Sequence, residues 1–353
     1  MVDASKISEL SKIAKQMVAD GKGILAADES MNTVGKRFSS INLENTEDNR
    51  RAFREMLLTS PGEGQYISGV ILYDETIRQK TSSGKSFVEV LQSEGILPGI
   101  KVDQGLVDFG TAGEKVTKGL DGLGDRLKEY VALGARFCKW RSVITIGDAT
   151  PTDDNIGQNA KDLAAYAKVC QENGLVPMVE PEILIEGDHT IEQAESASTK
   201  ILTILFEELK NAGVAPEGTI LKTSMVIAGK SSAKQSTPAE VAEATMRVFK
   251  KVLPTHLAGE AFLSGGQGDI QATENLNAIN RMGEKPWPIT FSYARALQDA
   301  ATKTWMGKPE NLQAAQKIFT HRAKMNSLAS QGKYSSEMEK GFATSDGATA
   351  TQD

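Results

Sequence analysis

Cysteine and histidine are scarce in this chain: 353 residues hold two of the first, Cys138 and Cys170, and three of the second, His189, His256 and His321. Two cysteines without CxxC spacing cannot build a disulfide framework, and they offer neither a zinc site nor a dithiol redox pair. Both read as reduced core thiols. The histidines lie in or beside helical stretches, far from strand ends, and no HExxH or other cluster has metal-ligand spacing. No metal centre is expected. No apolar stretch approaches the ~18 residues of a membrane span, so the chain is not expected in a membrane. The formal charge of −6 is spread over mixed-sign segments without a Lys/Arg-rich block, which speaks against a nucleic-acid partner. The opening MVDASKISELSKIAKQMVAD sets Ile7, Leu10, Ala14, Met17 and Val18 at helical spacing with no continuous apolar run before a cleavage site. It reads as a surface helix rather than a signal, and a cytoplasmic location follows as the expectation.

What the chain does have is a repeating alternation. Short β-rich runs bounded by Gly or Pro occur at KGILAAD (22–28), YISGVILYD (66–74), LPGIKVD (97–103) and FCKWRSVITI (137–146). Four more follow at LVPMVEPEIL (175–184), GTILKTSMVI (218–227), AFLSGGQ (261–267) and PITFSYA (288–294), with helical stretches between them. In NAKDLAAYAKVCQENG, Leu163, Tyr166, Ala167 and Cys170 share a helix face and Gly174 stands where a C-cap would. In TPAEVAEATMRVFKKVLP, Thr237 is placed as N-cap, Pro238 as first helical residue and Glu240 as the third, a capping-box pattern. Strand and helix repeated eight times predicts a parallel sheet covered by helices, and a single (β/α)8 TIM barrel in particular. The rival open doubly wound sheet needs GxGxxG after its first strand for a dinucleotide, and AADESMNTVG has none. No internal repeat or linker divides the chain, so residues 1–332 are expected as one domain with an N-terminal helix. The polar, aperiodic residues 333–353 are expected as a mobile tail.

Charges sit inside these strands in a pattern. Side chains two apart share a face of a strand: Lys139 with Arg141, Glu180 with Glu182, Lys101 with Asp103. Asp28 ends the first strand, Lys222 lies in the sixth and Arg295 follows the eighth. A single lysine such as Lys222 is explained well enough by snorkelling to the surface. Six of eight strands carrying charge in or near their final half is a different matter, because the C-terminal strand ends of a barrel form its catalytic face. At least four cations and three anions would converge in one mouth, where a structural barrel would place Val, Ile and Leu. Without a metal cluster, a GxSxG or a Cys/His pair, amine chemistry remains. A desolvated lysine can attack a carbonyl to form a Schiff base, whose protonated form drains electrons from a neighbouring C–C bond while a carboxylate takes the departing alcohol's proton. LSGGQG (263–268), with Ser264 and the nearby Arg295, fits a phosphate subsite at the seventh and eighth loops.

The segments GKGILAADES, KVDQG, KWRSV, VEPEIL, LKTSMV, FLSGGQ and TFSYARALQ together resemble class I fructose-bisphosphate aldolase, in family order on seven of the eight strands. The resemblance implies reversible cleavage of fructose 1,6-bisphosphate to dihydroxyacetone phosphate and glyceraldehyde 3-phosphate in glycolysis and gluconeogenesis, with no metal or other cofactor, in a homotetramer. It implies that Lys222 is the Schiff-base nucleophile, Glu180 the acid/base for carbinolamine dehydration, Glu182 an electrostatic support for the lysine, and Asp28 the residue that handles the C4 hydroxyl proton. Lys139 and Arg141 would orient the intermediate; Ser264, Gly265 and Arg295 would hold the C1 phosphate; Ser30, Lys101, Lys36 and Arg37 would meet the second phosphate and open end. Three features depart from the family pattern: Ala294 replaces the glycine of SYGR, ESMNTVGKR replaces a serine-rich segment so that Thr33 matches less well than Ser30, and the tail ends in Asp353 with Tyr334 as its last tyrosine. The terminal tyrosine's role is therefore not carried over. A Schiff-base enzyme with another preferred ketose phosphate, such as sedoheptulose bisphosphate or fructose 1-phosphate, and a non-catalytic sugar-phosphate-binding barrel are the alternatives.

Overall fold

The run GILAA is apolar and lacks alternation, as a strand buried on both faces requires, and in the computed structural model it forms the first barrel strand, with all five residues buried. The structure describes residues 3–111 and 113–342. Eight parallel strands close the barrel: β1 (Gly23–Ala27), β2 (Ile67–Leu72), β3 (Leu97–Lys101), β6 (Phe137–Ile144), β7 (Val176–Ile183), β8 (Ile220–Thr223), β9 (Gly259–Phe262) and β10 (Ile289–Tyr293). Each pairs with the next, and closure is made where Ile24 of β1 faces Ser292 of β10. All eight expected strands are present, several shorter than the apolar runs. The seventh stops at Phe262 because Gly265 and Gly266 adopt positive φ of 56° and 89°, a region open to glycine at little cost. The loop LSGGQ is released from the sheet.

Between β3 and β6 the chain makes an antiparallel hairpin of β4 (Leu106–Phe109) and β5 (Glu114–Thr117) ahead of the expected helix, Leu123–Ala132. Glu114 anchors it by accepting hydrogen bonds from the Thr152 amide (2.8 Å) and hydroxyl (2.6 Å) at the start of helix Asp153–Glu172. Asn155 donates to the Lys115 carbonyl at 2.9 Å. The helix over Pro238–Val252 begins as its sequence predicts, with Thr237 and Glu240 completing a capping box.

The inward side chains change character along the barrel axis. At the N-terminal end Ile24, Ile71, Phe137, Val176, Met178, Ile220 and Ala261 form an apolar plug. The helix Ala4–Met17 closes this end, burying Leu10, Ile13, Ala14 and Met17 against the plug, so one face of the expected surface helix belongs to the core. Gly99 makes room for the plug, since a Cβ there would lie 2.2 Å from the Phe137 ring. Two residues further along β6, β7 and β8 the inward positions become Lys139, Glu180 and Lys222, and just past the end of β1, two residues beyond the plug residue Ala26, stands Asp28. The charged layer therefore rests on an apolar floor, which keeps its local dielectric low.

Within residues 333–342, part of the stretch expected to be mobile, Tyr334 and Glu339 are buried while most of the others are exposed; residues 343–353 lie outside the described residues. Among the described residues no helix is long and apolar enough to cross a membrane.

Candidate active site

Strand register delivers the charges to one another. Arg141 of β6 lies opposite Glu180 of β7, and Lys139 opposite Met178, so β6 and β7 present their charged side chains into the barrel at adjacent levels. Lys139, Glu180 and Lys222 are each 3% exposed, a depth at which an isolated charge costs several kcal/mol unless it is paired. They are paired in series. Lys222 Nζ lies 3.0 Å from Glu180 Oε1, Glu180 Oε2 lies 3.1 Å from Lys139 Nζ, and Lys139 Nζ lies 2.7 Å from Asp28 Oδ2. Beside this row Arg141 Nε donates to Glu182 Oε2, and Lys101 Nζ to Asp103.

The row determines protonation. Burial alone would raise the carboxyl of Glu180, but Lys139, Lys222 and Arg141 outweigh it and hold that group below the usual carboxylate range. Asp28 is held lower still: burial opposes its charge, and Lys139 and then Lys222 overcome that. Burial would likewise neutralise Lys139, yet Asp28 and Glu180 keep its ammonium above the ordinary lysine value. Depressed carboxyls stabilise the fold fully above their unfolded values of 3.8 and 4.5 and lose that contribution as pH falls through the lower folded values. The raised Lys139 contributes fully below its unfolded 10.5 and is lost only above it. The urea midpoint is accordingly expected to stay level from about pH 5 to about 10 as far as this cluster is concerned and to fall on acidification below about pH 4. The acid limb should be shallower in Asp28→Asn; an unchanged limb would show that the cluster does not control acid stability.

These groups line a cavity of about 1300 Å³ that opens at the C-terminal strand ends. Ser264 and Gly265 form part of its wall in the loop after β9, and Arg295, exposed, begins the helix Arg295–Trp305 after β10. Ser30, Lys36 and Arg37 line the opposite side, on the helix Met31–Ser39 and its cap. The arrangement offers a buried amine against a carboxylate, a second carboxylate across a shared ammonium, and cations at both ends for an anionic substrate.

Comparison with known proteins gives this geometry its context. The family model for "Fructose-bisphosphate aldolase class-I" matches residues 9–352. The chain belongs to the class I fructose-bisphosphate aldolases. It is 52% identical over 340 residues to cytosolic fructose-bisphosphate aldolase 4 of Arabidopsis thaliana, covering 96% of this chain and 86% of that one. It is 49% identical over 340 residues to the fructose-bisphosphate aldolase of Dictyostelium discoideum, covering 95% of each. The solved fructose-bisphosphate aldolase of Plasmodium falciparum, in complex with TRAP and a small-molecule inhibitor, superposes with a TM-score of 0.93 at 48% identity, covering 95% of this chain and 97% of that one. The protein is a lyase of a glycolytic enzyme family.

In this aldolase the sequence-predicted site residues Lys222, Glu180, Asp28, Glu182, Lys139, Arg141, Ser264, Gly265, Arg295, Lys101, Ser30, Lys36 and Arg37 all line the one cavity. Their pairing differs from expectation in places. The carboxylate touching Lys222 is Glu180, while Glu182 is engaged with Arg141. Arg37 is half-committed: it meets Glu29 at 2.9 Å and Gln298 at 2.5 Å. The Ser30 hydroxyl caps its helix by accepting from the Thr33 amide at 3.4 Å, and Lys101 is tied to Asp103. His189 lies buried in the loop after β7, its ring near Gly229 of the loop after β8, closer to the strand ends than expected.

Two residues went unseen. Glu29, buried beside Asp28, is held between Arg37 and Arg54, the latter at 2.5 Å, and so fixes the turn out of β1. Ser292 is buried on β10 and lines the cavity with its hydroxyl unpartnered among the described residues. The alternation rule would have found it, since Ser292 and Ala294 share a face of TFSYA. The two cysteines lie buried and away from the cavity, as the sequence implies.

Proposed function

We propose that this aldolase cleaves fructose 1,6-bisphosphate reversibly to dihydroxyacetone phosphate and glyceraldehyde 3-phosphate through a Schiff base on Lys222. The observation that carries the reading is the buried row Lys222, Glu180, Lys139, Asp28 with its three contacts of 2.7 to 3.1 Å. A lysine attacks only as the free amine. Its proton has an acceptor in contact, Glu180 Oε1, and transfer between them neutralises both groups in place of separating charge in a dry site. The nitrogen lone pair then adds to the C2 carbonyl carbon, the carbonyl π pair moves to oxygen, and that oxygen takes one of the two protons left on the now cationic nitrogen, giving the neutral carbinolamine. Glu180, now carrying the proton taken from Lys222, returns it to that hydroxyl as water leaves, and the iminium forms.

The iminium accepts the C3–C4 bonding pair. Asp28, kept ionised by Lys139, takes the C4 hydroxyl proton, so that the O–H pair becomes the new carbonyl of the released aldehyde and the enamine stays on Lys222. Lys139 spans Asp28 and Glu180 and balances charge as protons move past it. Arg141, braced by Glu182, faces the same intermediate.

The phosphates take the cavity's ends. Ser264, the Gly265 amide, the Arg295 guanidinium and the N-terminus of helix Arg295–Trp305 suit one; Lys36, Arg37, Ser30 and Lys101 suit the other. Residues 1–332 act as one catalytic domain, without a metal or other cofactor, in the cytoplasm and as a homotetramer. Borohydride added with substrate in the presence of a chelator is expected to trap one adduct per chain, on Lys222, with turnover before reduction unaffected by the chelator. An adduct on another lysine, or activity lost to the chelator, would refute the assignment. Turnover on fructose 1-phosphate and sedoheptulose bisphosphate under the same conditions separates the substrate alternatives.

A further inference from the structure

Arg322 stands in the helix Leu312–Ser330 with no exposed surface. A guanidinium at that depth needs partners for its donors, and it takes them from two separate parts of the chain. Its Nη1 donates to Glu339 Oε1 at 2.5 Å. Its Nη2 donates to the Thr273 hydroxyl at 2.6 Å and to the Asp269 carbonyl at 3.0 Å, and its Nε lies 4.0 Å from Asp269 Oδ2. Glu339 belongs to the segment that follows the last long helix; its other oxygen lies 2.7 Å from His321 Nε2. Asp269 and Thr273 form the first turn of helix Asp269–Asn280, directly after the loop Leu263–Gly268.

That loop is fastened to the same helix. Gln267 donates its amide N–H to the Ser264 carbonyl at 3.1 Å, and Asn275 donates to Gln267 Oε1 at 2.6 Å. The C-terminal segment adds a second tie to the helix, the Tyr334 amide donating to Asn277 Oδ1 at 3.0 Å. A continuous path of hydrogen bonds thus runs from Glu339 through Arg322 to the helix that carries Ser264 and Gly265 at its entrance. None of Lys222, Glu180, Lys139 or Asp28 lies on it.

We propose that Arg322 and Glu339 are positioning residues for the phosphate subsite: seating of residues 333–342 fixes the helix Asp269–Asn280 and with it the geometry of the Ser264–Gly265 loop. The proposal rests on the reading that this loop holds a substrate phosphate. Loss of the Glu339 charge leaves the buried Arg322 with Asp269 Oδ2, 4.0 Å from its Nε, as the remaining counter-charge, so the guanidinium draws in water or shifts against Asp269. The first helical turn then loosens, and a displacement of about 1 Å at a positioning group is enough for large losses. The reacting groups stand on other strands and keep their contacts, so binding suffers and the chemical step does not.

The test uses the full chain with fructose 1,6-bisphosphate as substrate and inorganic phosphate as competitive inhibitor. Glu339→Gln is expected to raise both KM and the phosphate inhibition constant about tenfold with kcat within about twofold. Ser264→Ala, measured alongside, must raise the same two constants; if it does not, the loop holds no phosphate and the proposal falls with that reading. If Ser264→Ala raises them while Glu339→Gln lowers only the melting temperature, the pair is merely structural and the proposal alone is overturned. Should Glu339→Gln fail to fold, the double variant Arg322→Met, Glu339→Met removes both members of the buried pair at once, and the same rise in both constants is required of it.

Discussion

Lys222→Arg is expected to reduce cleavage by roughly 10^4- to 10^6-fold, the scale on which covalent catalysis is lost when its nucleophile is removed. Arginine retains a positive charge opposite Glu180 Oε1, which Lys222 meets at 3.0 Å, so the buried row keeps its alternation of sign. What it cannot supply is a lone pair, because a guanidinium stays protonated in proteins. Steady-state assay of the variant checks the loss, and borohydride reduction should then give no adduct. Activity above about one part in a hundred would mean that catalysis does not need an amine at this position.

Glu180→Gln combines two losses of different kinds. Glu180 stands between two ammonium groups, at 3.0 Å from Lys222 and 3.1 Å from Lys139. Its amide replacement fits the space but leaves those cations with Asp28 as the remaining carboxylate in the row. Removing one partner of a buried ion pair costs about 3–5 kcal/mol, so a melting temperature several degrees lower is expected. The catalytic loss is a further factor of about 10^2 to 10^4, the usual worth of a positioned proton donor and acceptor. Single-turnover trapping separates the two: Schiff-base formation should become slow in Glu180→Gln even at temperatures where it is fully folded. A trapping rate equal to that of the unchanged protein would remove Glu180 from the dehydration step. Lys139→Met, by contrast, should leave Lys222 and Glu180 in contact and affect Asp28 first, because Asp28 has its 2.7 Å contact with Lys139.

Much of this was legible before any fold was known, for a physical reason. A strand alternates faces with a period of two, and that period is local; it therefore paired Lys139 with Arg141 and Glu180 with Glu182 from four or five residues of context. The capping box at Thr237 and Glu240 is local in the same way, and so is the apolar run that makes β1. The hairpin Leu106–Thr117 was not legible, because its anchors, Thr152 and Asn155, lie some forty residues along. Nor was the commitment of Arg37 to Glu29 and Gln298, which joins the first helix after β1 to the last barrel helix across 261 residues.

The sequence by itself determined the eight-fold strand and helix alternation, which charged side chains share a strand face, and the meeting of Lys139, Glu180, Lys222 and Asp28 in one mouth. Those properties follow from local periodicity and from the closure of a parallel sheet. Only the tertiary structure decided who partners whom: that Lys222 rests on Glu180 while Glu182 serves Arg141, that one ammonium at Lys139 joins two carboxylates, and that Glu339 reaches the helix after the Ser264–Gly265 loop through Arg322. Such pairings depend on inter-strand register and on contacts between distant segments, to within a fraction of a hydrogen-bond length. Nothing in a short window of residues specifies a distance of that kind.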